Sequence, residues 1–400
     1  MAFVDSALQQ ATPLHSQISS APVEFSTASR GFAVHSAGSS RVPRVLHAIA
    51  PSKFAGAETF LARLMRRSPR DQFVNHCVTT RNRANGELLA ANIPFDRLRI
   101  GGKANLLAVP RLAAAAHRFQ ADVFHTHLST ASWWCGWLEQ FGGPPSIGHV
   151  HGFTSAHWHR HQRHLIACSA AVKRDLIEKG IAADRITTLH YPVDAHDLPI
   201  TRSRAEVRRE LGAEDETPVV GTFAHLSRKK GYCELIEAAA LVLNVFPTAQ
   251  FWVFGEGPLR NKLEETSQRR GIADRFKLFG FRRDVANLMS AIDIMCLPSH
   301  REPFGLVYIE AALAQKPVIA CRAGGVPEIV SHGESGLIIP PPTNASGAEH
   351  LPLVDALFEL LDNRNAALEM GRRAREAALD RFRWSDYLTN LRALYDRVRA

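Results

Sequence analysis

Residues 293–339 read DIMCLPSHREPFGLVYIEAALAQKPVIACRAGGVPEIVSHGESGLII, and this stretch decides the fold. Asp293 to Leu297 is a short apolar run stopped by Pro298, the pattern of a strand buried on both faces. The loop that follows opens an apolar helix over 305–314. A second apolar run at 317–320 ends in a turn with the paired glycines Gly324 and Gly325, and a third run occupies 336–339. Short apolar strands separated by helices pair in parallel, because a parallel connection needs a crossover long enough to hold a helix.

The same rhythm extends outward in both directions. Upstream lie apolar runs at 219–224, 250–254 and 275–279, with helical patterns at 231–245 and 258–269; downstream, helical patterns occupy 352–362 and 364–378. The first half repeats it, with strands predicted at 44–50, 72–79, 122–125, 146–150, 164–168 and 186–190. Helices are predicted there at 57–67, 105–119, 129–139 and 170–179. The expected class is α/β: two Rossmann-like parallel-sheet domains, over 44–200 and 217–380, facing each other across a cleft. The charged stretch 201–216, within an uneven region from Asp194 to Glu216, reads as a linker. Residues 381–400 carry Phe382, Trp384, Tyr387, Leu391, Leu394 and Tyr395, an apolar helix expected to pack back on the first domain. Residues 1–43, with nine serines and no sustained periodicity, read as a flexible leader without the apolar core of a secretory signal. Open α/β sheets bind ligands beyond the carboxyl ends of their strands, so the cleft is the expected site.

Composition narrows the function. A chain of 400 residues, at about 150 per domain, fits two domains. No run approaches the roughly 20 apolar residues of a membrane-spanning helix. The formal net charge of +9 favours anionic partners without choosing among nucleotides, lipid headgroups and nucleic acid. Six scattered cysteines argue against a disulfide scaffold or a zinc module and for a reducing, cytoplasmic compartment.

Several turns could carry chemistry. Pro51-Ser52-Lys53-Phe54-Ala55-Gly56 joins the first strand to a helix, and Gly56 would let backbone N–H groups approach an anion. Neither GxGxxG nor GxxxxGK[ST] occurs in such a context, so no dinucleotide or P-loop site is supported. Glu302 and Glu310 flank the start of the helix at 305–314, where carboxylates could accept hydrogen bonds from sugar hydroxyls. Arg228-Lys229-Lys230 follows the strand at 219–224 and would neutralise a diphosphate. The turns at Gly255 and at 321–328 complete a binding edge. Eight histidines lie between His125 and His164, but no HExxH or paired Cys/His spacing appears and no metal is expected. Of these, His151, at a strand end before Gly152, is best placed to line the cleft. Trp133, Trp134, Trp137 and Trp158 accompany Arg66, Arg67, Arg70 and Arg160, an aromatic and basic surface suited to peripheral contact with an anionic membrane. No nucleic-acid-binding signature is present.

Residues 44–398 resemble the retaining glycosyltransferases of family 4 (GT4), which have the GT-B fold. The resemblance rests on EPFGLVYIEAALAQKPVIACRAGGVPEIVSHGESGLIIPP at 302–341, with its E-x7-E signature, and on FGEGP at 254–258 and GFRRDV at 280–285. HTH at 125–127, HVHG at 149–152, IACSAAVKRDL at 166–176 and YPVD at 191–194 carry it through the first half. It implies a nucleotide-sugar donor (UDP-, GDP- or ADP-sugar) on the second domain, an acceptor on the first, and no separate cofactor. On the matching positions, Glu310 would bind the ribose hydroxyls and Glu302 the donor sugar. Backbone at Phe304, Gly305, Leu306 and Val307 would hold sugar and phosphate, and Lys230 the diphosphate. Gly56 would admit the phosphates, and His151 would hydrogen-bond the sugar near its reacting end. His225 stands where the family usually has arginine, so Arg228 or Lys229 must reach in, or the diphosphate is held less tightly.

The implied reaction is sugar transfer with retention and without metal, by front-face attack in which the leaving phosphate takes the acceptor's proton. A lipid-linked glycan or a lipopolysaccharide or exopolysaccharide precursor, met at the inner face of the cell membrane, is the expected acceptor. A small soluble acceptor is the alternative, and a non-catalytic nucleotide-sugar-binding protein a further one.

Overall fold

A computed structural model describes residues 41–50, 56–80, 93–341 and 350–400. The leader up to residue 40 and the loop segment 51–55 lie outside the described residues. Residues 41–43 already lead into the first sheet: the Pro43 carbonyl accepts from Val74 N at 2.9 Å.

The first sheet contains β1 (Arg44–Ile49), β2 (Val74–Thr80), β3 (Phe95–Leu98), β4 (Val123–His127), β5 (Ser146–Val150), β6 (His164–Ala167) and β7 (Ile186–Thr188). Their order is β3-β2-β1-β4-β5-β6-β7, and every pairing is parallel. Among the described residues, the helices α1 (Gly56–Arg67), α2 (Ala108–Phe119), α3 (Leu128–Gln140) and α4 (Ala170–Glu178) connect them. The second sheet repeats the plan with β8 (Val219–Phe223), β9 (Gln250–Phe254), β10 (Phe276–Gly280), β11 (Ile294–Leu297), β12 (Val318–Cys321) and β13 (Gly336–Ile339), ordered β10-β9-β8-β11-β12-β13. Both sheets reverse their winding beside the first strand, between β1 and β4 and between β8 and β11. Such a switch point opens a crevice at the carboxyl edge.

Three elements depart from the sequence reading, one of them the short helix Val285–Ala291, for which no helix was predicted. β3 (FDRL) was not predicted: it is an edge strand with no residue fully buried, so it lacks an apolar run. The stretch taken as linker holds a helix, α5 (Arg204–Leu211). It starts with a capping box between Ser203 and Glu206 and ends at Gly212, the start and stop signals of a short helix. Its charge misled because the charge is used internally. Arg208 is buried, donates to the carbonyls of Ala291, Glu214, Asp215 and Thr217 at 2.8 Å and pairs with Asp293 at 2.6 Å. A buried guanidinium with all three nitrogens partnered ties the segment before β11 to the segment before β8.

The remaining helices are α6 (Tyr232–Val245), α7 (Arg260–Arg269), α8 (Val285–Ala291), α9 (Leu306–Leu313), α10 (Leu351–Asp362), α11 (Arg364–Arg381) and α12 (Trp384–Arg399). α12 lies against the first sheet, with Tyr395 Oη 2.6 Å from His125 Nδ1 and Arg392 donating to the Gln72 carbonyl at 2.9 Å. Val193 N donates to the Phe382 carbonyl at 2.7 Å where the chain crosses back. One apolar cluster runs from Val45 and Ile147 through Tyr191, Phe304 and Phe382 to Met295 and Leu297, so both sheets share a core beside the cleft. All six cysteines are free, and no described helix is long and apolar enough to cross a membrane.

Candidate active site

The carboxyl edge of the second sheet gathers most of the residues singled out from the sequence. Lys230 closes the short turn after β8, and its Nζ lies 2.6 Å from Glu302 Oε2 in the loop after β11; both side chains are largely withdrawn from solvent. Gly305 caps α9 at φ +106°, and a Cβ there would strike the Tyr308 ring. Gly324, at φ +56°, lies so close to the Glu302 carbonyl that a Cβ would collide with its oxygen. These two glycines let the 302–305 loop fold tightly over the end of β12, which fixes where the Glu302 carboxylate emerges. One helical turn further, Glu310 is half-buried and its carboxylate makes no hydrogen bond or ion pair among the described residues. Burial pushes its carboxyl up, and Arg63 of α1 acts in the opposite direction. A half-buried carboxylate without a partner suits a ligand that brings hydroxyl donors.

Other predicted contacts are placed less uniformly. Gly255 donates its N–H to the Gly280 carbonyl at 2.8 Å and lies against Ala224 O at the end of β8. Leu306 and Val307 are half-buried at the start of α9. The Phe304 side chain is not in the cleft: it is buried between His190 and Tyr191, with ring centroids 5.5 and 5.3 Å away. Arg228, Lys229 and His225 are exposed, and of the basic triplet Lys230 meets Glu302.

Across the cleft, Gly56 at the head of α1 faces Leu306: a Cβ built on it would stand 3.6 Å from Leu306 Cδ1. Gly152 faces Pro303 in the same way at 3.4 Å. Below them, Phe153 to His157, Lys179 and Arg301 line an open depression of about 610 Å³, with the Arg301 guanidinium 4.5 Å from the Phe153 ring centroid. The two sheets are also joined by contacts that sequence reading did not assign. Ser169 Oγ donates to the Pro303 carbonyl at 2.6 Å. Glu328 accepts from Ala170 N and Ala171 N at the start of α4, at 2.7 and 3.0 Å, and from His190 Nε2 at 2.7 Å. Burial acts to raise the Glu328 carboxyl, but these bonds outweigh it and hold it low. No spacing in the sequence could announce a carboxylate that caps a helix of the other half.

His151 sits just beyond β5, as the sequence indicated, but both its ring nitrogens are engaged. Nε2 is 3.0 Å from His127 Nδ1, and Nδ1 is 2.6 Å from Tyr191 Oη. His47, His125, His127, His149 and His151 share one face of the first sheet, since residues two apart along a strand project to the same side. That alternation was the readable signal for the layer. The ligand atoms of His47, His125 and His127, and of His127, His149 and His151, lie within 4.8 Å of one another in each trio. These trios, which motif spacing did not disclose, are where the described residues could gather a metal. Burial dominates the layer and holds His47 down to about 4 and His151 to about 3. The imidazoles are therefore neutral at pH 7.

The aromatic surface differs in part from expectation. Trp133 packs with Trp137 and Trp158 at 5.7 and 5.4 Å between ring centroids, and Lys103 covers Trp158 at 3.7 Å. Arg67 belongs elsewhere: it pairs with Asp194 and Asp197 and lies over Trp384.

Comparison with known proteins gives the frame a lineage. Residues 203–377 match the family model described as glycosyl transferases group 1, and residues 54–197 match that of glycosyltransferase family 4. N-acetyl-alpha-D-glucosaminyl L-malate synthase of Bacillus anthracis is 22% identical over 73% of this chain and 78% of its own length. The chain spans about half the length of several other curated relatives. Anabaena HepE, solved in complex with UDP-glucose, superposes with a TM-score of 0.75 at 24% identity, covering 88% of this chain and 98% of that one. The lipopolysaccharide outer core galactosyltransferase WaaB superposes with a TM-score of 0.66 at 16% identity, over 89% of this chain and all of that one. With the two family models running in succession from residue 54 to residue 377 over the two-sheet frame, the chain belongs to the family 4 and group 1 glycosyltransferases of the GT-B fold.

Proposed function

We propose that the protein moves a sugar from a nucleotide-sugar donor to a glycan acceptor, with retention of configuration and without a metal ion. The observation that carries this reading is the buried Lys230–Glu302 pair at 2.6 Å, set at the mouth of β8 and β11 beside the start of α9. A diphosphate placed there meets the Lys230 ammonium and the positive end of α9 together. Glu310 receives the ribose hydroxyls, and Glu302, released from Lys230 by the arriving phosphate, turns to the sugar. Charge that develops on the leaving phosphate is stabilised by groups already in place, so little reorganisation is needed at the moment of transfer. The leaving phosphate accepts the acceptor's proton, and attack comes from the same face. The solved relative with UDP-glucose supports a uridine donor, with GDP- and ADP-sugars as the other classes.

His151 borders the reacting end of the donor. A hydrogen bond from its ring to the sugar requires one nitrogen to leave His127 or Tyr191, unless the backbone beside Gly152 serves instead. For the acceptor, a lipid-linked glycan or lipopolysaccharide or exopolysaccharide precursor at the inner face of the cell membrane is favoured by the exposed Phe141, which stacks with Trp137, and by the exposed Leu106 and Leu107. The lipopolysaccharide-acting relative supports the same choice. A small anionic acceptor is the second reading. The depression bounded by Lys179 and Arg301 suits one, and the malate-named relative points the same way. Calorimetric titration with UDP-, GDP- and ADP-sugars, with and without magnesium, tests the donor site. Binding of one class, indifferent to magnesium and lost in Glu310→Ala, is expected. Absence of binding to every donor overturns the enzymatic reading.

A further inference from the structure

The histidine layer contains an ordered line. Asn75 Oδ1 lies 3.2 Å from His47 Nε2, His47 Nδ1 3.3 Å from His127 Nε2, His127 Nδ1 3.0 Å from His151 Nε2, and His151 Nδ1 2.6 Å from Tyr191 Oη. The line crosses β2, β1 and β4 in their order in the sheet and reaches the cleft beyond β5, with Tyr191 supplied from beyond β7. Its inner members, His47 and His127, are closed off from solvent.

A neutral imidazole donates through one nitrogen and accepts through the other. If His47 Nε2–H donates to Asn75 Oδ1, its Nδ1 must accept from His127 Nε2–H. His127 Nδ1 then accepts from His151 Nε2–H, and His151 Nδ1 accepts from the Tyr191 hydroxyl. Reversing one ring alone would set two N–H groups or two lone pairs against each other about 3 Å apart in a dry core, at the cost of an unmade buried hydrogen bond on each side. The three tautomers therefore change together or not at all. The groups acting on the charges of His47, His125, His127, His149 and His151 are burial, other imidazoles and, at His47, the Asn75 side chain, with no carboxylate among them. A divalent ion in this layer would bring two uncompensated charges into the core, so a line of neutral rings is the better reading than a metal cradle.

We propose that Asn75 is a positioning residue that sets the tautomer of His151 at the cleft through His47 and His127, with Tyr191 closing the line. The inference deepens the proposed reaction, because it concerns the ring placed beside the donor sugar, and it rests on that reading only for its effect on turnover. In its directed state the line leaves His151 with Nε2–H and a lone pair on Nδ1, and Tyr191 supplies the proton that holds that lone pair.

Long-range 1H–15N correlation on histidine-labelled full-length protein reads the tautomers directly, with His47→Gln, His127→Gln and His151→Gln assigning the signals. Expected are Nε2–H tautomers at all three rings in the unaltered protein, a mixture at His151 in Asn75→Leu, and return of the single state in Asn75→Asp, whose carboxylate also accepts. Tyr191→Phe removes the far terminus but leaves Asn75 in place, and because a hydroxyl can either donate or accept, the single tautomer at His47 is expected to persist in it. A change at His151 in Asn75→Leu, three members away, is not a response that loss of local packing would produce. A His151 tautomer unmoved by Asn75→Leu, a His47 tautomer lost in Tyr191→Phe, or opposite tautomers at His47 and His127 in the unaltered protein would each overturn the proposal. Donor consumption is measured on the same samples, with about a tenfold fall in kcat and little change in KM expected for Asn75→Leu. Tautomers that respond while kcat stays constant would leave the line standing and remove His151 from the reaction.

Discussion

Lowering the pH from 7.5 to 5.5 should destabilise this protein far more than an ordinary domain, and the reason is the histidine layer. Burial holds His47 to about 4 and His151 to about 3 in the layer, and also holds the buried His159, outside the layer but acting on His151, to about 4, against about 6.5 in an unfolded chain. A histidine whose folded value is depressed stays neutral while the unfolded chain takes up its proton. Its contribution is therefore present above about pH 6.5 and is lost as the pH falls toward the folded value. Between pH 7.5 and 5.5 each such group forfeits about 1.4 kcal/mol, so these three forfeit about 4 kcal/mol. His125, His127 and His149 are shifted in the same direction and add to it. A domain is typically stable by about 5–15 kcal/mol, so the loss is a large share of the whole. The assay is denaturant unfolding at the two pH values, followed by tyrosine and tryptophan fluorescence and by circular dichroism. His149→Leu serves as the internal control. It removes a ring whose two nitrogens have no partner among the described residues and should flatten the pH slope while raising the midpoint at pH 5.5. Equal midpoints at pH 7.5 and 5.5 would refute the reasoning, because they would mean that the layer takes up protons as readily folded as unfolded.

Two further expectations concern the cleft. His225→Arg supplies the cation that the family pattern places five residues before Lys230, and donor Kd in calorimetry should fall about three- to tenfold, a charge-assisted bond's worth. Unchanged or weaker binding would show that His225 does not face the diphosphate. Glu328→Ala removes the acceptor of the first two α4 amides, leaving the Ser169 cap on Val172 N, and the partner of His190, three bonds to one carboxylate in all. A cost of about 2 kcal/mol is expected, read as faster hydrogen exchange at the Ala170 and Ala171 amides. Exchange no faster than in the unaltered protein would count against a contact between the two halves at this point.

The parallel αβ plan, and the clustering of the candidate residues at the carboxyl edge of the second sheet, were legible in the chain itself. Runs such as Val219–Phe223, Ile294–Leu297 and Val318–Cys321 are apolar throughout because both faces of a parallel sheet are covered, so their signal is local and strong. Glu302 and Lys230 were legible because each lies in the loop just after a strand end, where backbone order alone sets the side chain at the carboxyl edge, and Glu310 because it follows on the helix that this loop opens. α5 was hidden by charge that is spent on carbonyls far along the chain, and β3 by its edge position. Which groups meet across long separations depends on how the strands and helices pack. The Phe304 ring went into the shared core rather than the cleft, Glu328 reached the start of α4, and five histidines from three strands became one dry layer. A hydrogen bond between His47 and His127 depends on strand order and register, which no local spacing encodes, and the same register turns His151 from a lone candidate into the end of a line.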